Sequence, residues 1–187
     1  RSSDIGNIIF GLKDFFKYKI PESYLNIDNV DEDNTLFGTE DIKEKQIDWY
    51  KSKINELKVE SSIITHVPII QYSYAYEQYL IATHNKDTAK LQQMDPIGKN
   101  RQNEACCSLY YDTGLFDAMK ELGSTKNYIC GHDHKNDFSL IYDGIRLTYA
   151  LKTGDECSWS GEDMCGYTKL LVDEDGKSTL SQEYLYI

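Results

Sequence analysis

The sequence predicts an α+β fold, a layered mixture of sheet and helix, on three observations. Two amphipathic helices are each followed by a short apolar strand. Two β-hairpin patterns close the chain, and strand-like runs open it. At roughly 150 residues per domain, 187 residues favour one domain or a large part of one. No internal repeat, low-complexity tract or Pro/Gly linker divides the chain.

In chain order, Asn7 to Leu12 and Tyr24 to Asp28 read as strands, followed by an acidic loop from Asp28 to Asp33. Thr39 can cap a helix running to about Leu57, with Ile47, Tyr50, Ile54 and Leu57 on one face. The β-branched run from Val59 to His66 is the pattern of a buried strand, and Pro68, which has no N–H to donate, should end it. Tyr72 to Asn103 is rich in Tyr, Gln and Asn. It reads as a long surface excursion with a helix near Thr88 to Met94, and Tyr72, Tyr74, Tyr76 and Tyr79 alternate like a half-exposed strand. Asp112 or Thr113 is expected to cap a helix that carries Leu115, Phe116, Met119 and Leu122 and stops at Gly123. Tyr128 to Cys130 is the next apolar strand. Phe138 to Tyr142 should pair with Ile145 to Ala150 through a type I′ turn at Asp143-Gly144. Lys169 to Val172 should pair with Thr179 to Tyr186 around Asp175-Gly176.

Composition excludes several classes. Hydrophobic residues are 40% and aromatics 12%, enough apolar side chain to bury a core and argue against disorder. Thirty-one acidic against 20 basic residues give a net charge of −11, which disfavours a nucleic-acid partner because phosphate backbones are bound by clustered Lys and Arg. No run approaches the roughly 18 apolar residues that span a bilayer, so no membrane partner is expected. The opening residues lack the charged and apolar regions of a signal peptide. Of five cysteines none forms a C-x-x-C, so a zinc ribbon or dithiol redox motif is not expected. Cys157 and Cys165 have a spacing that suits a loop-closing bridge, whereas the odd count and the lack of an N-x-[ST] sequon weigh slightly against secretion; the compartment stays open.

Chemistry is best sought at the histidines. His66 ends one apolar strand, and His132 and His134 follow another, where ligand sites collect in layered folds. In extended chain, residues i and i+2 face the same side, so His132 and His134 can reach one metal or two neighbouring ones, and Gly131 permits a close backbone turn. An H-x-H in a loop is also the pattern of ordinary surface histidines; the third strand-end histidine adds weight to ligation. His84 reads as a surface residue and Asp133 as a turn residue.

The string Gly131-His132-Asp133-His134-Lys135-Asn136-Asp137-Phe138 resembles the G-H-x-H signature of the calcineurin-like metallophosphoesterases, in the form found in their purple-acid-phosphatase-related subgroup. Thr65-His66-Val67-Pro68-Ile69 resembles that family's upstream H-[IV]-P element. Asp4-Ile5-Gly6-Asn7, Gln46 to Tyr50, Gly114-Leu115-Phe116 and Tyr149-Ala150 agree in order. The family's D-x-H, G-D-x-x-D and G-N-H-[DE] elements are absent. The resemblance therefore implies that residues 1–187 are the C-terminal half of a four-layer α/β/β/α sandwich, with the N-terminal half of the same domain as partner.

By the same resemblance, His66 and His132 would ligate one metal and His134 the other. The pair would be Zn, Fe, Mn or Co, with a hydroxide between the ions attacking the phosphorus of a phosphomonoester. The substrate would be a phosphorylated small molecule or a phosphoprotein. The bridging aspartate and the proton donor to the leaving group would lie outside the chain, so no catalytic residue is expected in this half. Glu104, Asn136 and Asp137 are candidates to orient the metal-bound histidines, although Asn136 and Asp137 could equally form the turn into the next strand. Phosphodiester hydrolysis with the same metals, a non-catalytic binding domain on this fold, and a fragment that folds only with its complement are the alternatives. In the last case uncovered parallel strands would leave the isolated piece prone to aggregation.

Overall fold

The computed structural model describes residues 8–11, 42, 44–108, 111–154 and 162–185. In order, the elements are β1 (Ile8–Gly11), α1 (Glu44–Leu57), β2 (Ser61–Ile64), α2 (Gln71–His84), α3 (Thr88–Met94), α4 (Leu115–Leu122), β3 (Thr125–Cys130), β4 (Ser139–Tyr142), β5 (Ile145–Tyr149), a 3₁₀ turn (Glu162–Met164), β6 (Gly166–Val172) and β7 (Ser178–Tyr184). The expected strand at Tyr24 to Asp28, the acidic loop, the Thr39 cap and Cys157 lie outside the described residues.

The fold is α+β. Five strands form one sheet in the order β1-β2-β3-β5-β4, and β6 and β7 form a separate antiparallel pair. Strands β2, β3 and β5 run parallel, and each outer position is taken by an antiparallel strand, β1 beside β2 and β4 beside β5. The parallel pairing of β2 with β3 needs a long crossover, which α2, α3 and α4 supply.

Alternation along β3 sorts the layers. Tyr128 faces the helices, its ring 6.0 Å from that of Tyr72 on α2. Asn127 faces the opposite side, where its Nδ2 donates to Ser178 Oγ on β7. Helices therefore cover one face of the sheet and the β6–β7 pair covers the other. That order is compatible with part of a four-layer sandwich.

The core on the helical side is aromatic. Tyr72, Tyr128, Phe138 and Tyr149 are fully enclosed, and Tyr72 lies 5.6 Å from Phe138 and 4.9 Å from Tyr149, ring to ring. The Tyr72 hydroxyl donates to the Tyr128 carbonyl at 2.8 Å and accepts from Thr148 N at 3.0 Å, bonding α2 into the seam between β3 and β5. On α1 the buried residues are Ile47, Tyr50 and Ile54, three of the four expected from spacing, and the helix ends at Leu57 as expected.

Two sequence expectations need correction. The Tyr-rich stretch from Tyr72 is neither a half-exposed strand nor a surface excursion: it is the 14-residue helix α2, with Tyr72, Ala75 and Ala82 buried and Tyr74 outside. Tyr72, Tyr76 and Tyr79 fall at i, i+4 and i+7, one helical face, whereas alternation by two matched only part of the series. The cap of α4 is Gly114, at φ +83°, rather than Asp112 or Thr113; Asp112 Oδ1 accepts from Gly114 N at 2.9 Å instead. The helix stops at Gly123 as its sequence indicates, with φ +65°. Both hairpins form, and Asp143 (φ +46°) and Gly144 (φ +84°) have the positive dihedrals that a type I′ turn requires.

Candidate metal centre

Strands β2 and β3 are parallel neighbours, so the loops after both leave from the same edge of the sheet. Past the last paired residues, Thr65 N donates to Ile129 O at 2.8 Å and Gly131 N donates to His66 O at 3.0 Å, extending the ladder into the loops. This extension brings the His66 and His132 rings to 5.1 Å between centroids. A Cβ on residue 131 would meet His66 Nδ1 at 3.9 Å, an ordinary van der Waals contact. His66 and His134 are exposed and His132 is half-buried.

His132 sits at φ +66°, a conformation that costs a non-glycine residue about 1–3 kcal/mol. A three-residue turn closed by Asp133 N donating to Gly131 O at 2.8 Å holds it there. Asp133, read from sequence as a turn residue, closes this turn and is also buried, its carboxylate engaged at both oxygens. Its Oδ1 lies 3.0 Å from His132 Nδ1, while Oδ2 accepts from the Tyr149 hydroxyl at 2.6 Å and from Cys107 N at 3.1 Å. Burial works to raise this carboxyl. The hydrogen bonds from His132, Tyr149 and Cys107 outweigh it and hold the group below the ordinary carboxylate range.

Glu104, Asn136 and Asp137 stitch two loops together. Glu104 Oε1 accepts from Lys135 N at 2.6 Å, and Asn136 Oδ1 accepts from Asn103 N at 3.0 Å and Glu104 N at 3.2 Å. Asp137 accepts from Arg101 N at 2.6 Å and forms a two-pronged ion pair with its guanidinium, Nε at 2.8 Å and Nη2 at 2.6 Å. Its Oδ2 also accepts from the Tyr184 hydroxyl at 3.1 Å. These bonds lay residues 101–104 along residues 135–137 and carry the chain on to Cys107, above Asp133.

Cys107 and Asp133 are the site residues that sequence reasoning passed over. Among the described residues, the three donors whose ligand atoms lie within 4.8 Å of one another are Cys107, His132 and Asp133; His66 and His134 are not in that group. Neither missing residue had a spacing signal, since 26 residues separate Cys107 from Asp133 and only the stitched loops join them. A thiol, an imidazole and a carboxylate within reach of one another are donor types that divalent transition-metal ions take.

Comparison with known proteins finds a distant relation. A curated protein of Arabidopsis thaliana named probable inactive purple acid phosphatase 14 is 27% identical over 122 residues, covering 58% of this chain and 26% of that protein. The chain thus spans about a quarter of that relative's length. No family model matches the chain. No solved structure matches it. The relation is a distant one, to a purple-acid-phosphatase-like protein whose own name marks it as inactive.

Proposed function

We propose that residues 1–187 form the C-terminal part of a metallophosphoesterase catalytic domain that hydrolyses phosphomonoesters. In this reading His66 and His132 hold one cation and His134 a second, and residues outside the chain complete the site. The observation that carries it is the 5.1 Å approach of His66 and His132 at the ends of adjacent parallel strands, 66 positions apart in sequence. The distant purple-acid-phosphatase-like relative supports it.

The roles of this chain's own residues follow from their positions. Asp133 Oδ1 lies 3.0 Å from His132 Nδ1, and Tyr149 and Cys107 N hold Asp133 in turn. The bound cations would supply positive charge to offset that of a phosphoryl group and would activate water near neutral pH, which lets a chain of net charge −11 hold an anionic ester. The substrate is a phosphorylated small molecule or a phosphoprotein, and zinc, iron, manganese and cobalt all suit imidazole donors.

The test is hydrolysis of an aryl phosphate by the full-length protein. Replacing His132 or His134 with Ala should abolish turnover; near-wild-type rates in either variant remove its assignment as a metal ligand. A second reading has a specific observation behind it, the inactive label on the relative. If the wild type binds metal but turns over neither aryl monoesters nor diesters, the domain is a non-catalytic binder.

A further inference from the structure

The Cys107 sulfur has no role in the histidine centre just proposed, yet it belongs to the closest donor group among the described residues. We propose that Cys107 ligates the His132-bound cation as a thiolate beside His132 and Asp133, making the centre selective for thiophilic ions such as zinc and cobalt over magnesium and manganese. The inference rests on the reading of His132 as a metal ligand and adds a sulfur donor to it.

Three observations carry it. The three donor atoms lie within 4.8 Å of one another before any ion is present. His132 Nδ1 and Asp133 Oδ1 are 3.0 Å apart, and two donors each about 2.1 Å from a tetrahedral zinc ion are about 3.4 Å apart. A parting of a few tenths of an ångström therefore lets a cation take the place between them. Cys107 is itself anchored, its N–H bonded to Asp133 Oδ2 at 3.1 Å, so the sulfur is delivered by a loop already tied to the site.

A divalent ion beside the sulfur displaces the thiol proton, since the thiolate is the form that binds metal. On binding, the S–H bond breaks and a sulfur–metal bond forms. The thiol proton passes to solvent, and the imidazole proton on Nδ1 is exchanged for one on Nε2. No oxidant or reductant is involved. Thiolate ligation favours borderline and soft cations, whereas magnesium and manganese prefer oxygen donors.

Cobalt(II) is the probe, added to chelator-treated protein and followed by absorption. The wild type should show the near-ultraviolet thiolate-to-cobalt charge-transfer band. Cys107→Ser should lose that band while still binding cobalt through its histidines, and Cys106→Ser should keep it. Bound cobalt without the band, or a Cys107→Ser spectrum equal to wild type, overturns the thiolate ligand and leaves the histidine centre standing. Failure of the wild type to bind cobalt at all overturns both. Should Cys107→Ser not fold, iodoacetamide labelling of the wild type gives the second measurement. Cadmium should protect Cys107 from alkylation, and an unchanged labelling rate overturns the inference.

Discussion

Tyr149→Phe isolates the contact on which the site's geometry depends. The Tyr149 hydroxyl is buried and donates to Asp133 Oδ2 at 2.6 Å, and burial pushes its own ionisation upward, so it remains a donor at every working pH. Phenylalanine fills the same space and leaves no cavity; the change removes one hydrogen bond to a carboxylate. Such bonds contribute about 1.5–3 kcal/mol. With a urea m-value of about 2 kcal/mol/M, a loss of about 2 kcal/mol moves the unfolding midpoint down by about 1 M. The loss should also depend on pH, with a sign set by Asp133. That carboxyl is lowered in the folded state, so its stabilisation is fully present above its unfolded value, near 4, and fades as pH falls through the folded value. The gap between wild type and variant should therefore be widest at pH 7 and shrink in the acid range below about 4. Urea titrations at several pH values decide it. A midpoint shift below about 0.3 M at pH 7, or one that grows on acidification, would refute the role given to this contact.

Other perturbations follow from single contacts. Arg101→Met leaves the Asp137 carboxylate, 1% exposed, without its guanidinium partner. Breaking a buried pair costs about 3–5 kcal/mol, and since Arg101 is 23% exposed the lower end is expected; thermal denaturation showing less than about 1 kcal/mol would mean the pair does not brace the loops. Gly144→Ala meets open space, so its whole effect is conformational. At φ +84° it should cost about 1–2 kcal/mol, and an unchanged melting temperature would contradict the type I′ turn.

The parts of the fold that were readable in the sequence are those where local chemistry and tertiary structure agree. Asp143-Gly144 is such a case: both residues tolerate the positive dihedrals that the hairpin needs. α1 was readable because Ile47, Tyr50 and Ile54 are the apolar residues of their helix and are also the buried ones. α2 breaks that correspondence. Leu80 and Ile81 are half-exposed while Tyr72 and Gln71 are buried, so the apolar and polar residues do not separate by face. Its N-cap, Ile70, makes no side-chain capping bond that a sequence pattern could reveal.

The site divides in the same way. Strand ends at His66 and His132 followed from apolar runs that stop, and the parallel pairing of β2 with β3 then brought the two rings together. Nothing local marks Asp133 as buried, because its partners are a tyrosine at the end of β5 and the backbone of Cys107 on a distant loop. Glu104, Asn136 and Asp137 brace that loop, the positive charge of Arg101 being what allows Asp137 to be buried.

Elemental analysis of the purified full-length protein tests the metal centre most directly. Two transition-metal ions per chain are expected in the wild type, with at least one lost on replacing His66 or His132 by Ala. A metal-free wild type, or variants that keep the full complement, would contradict it.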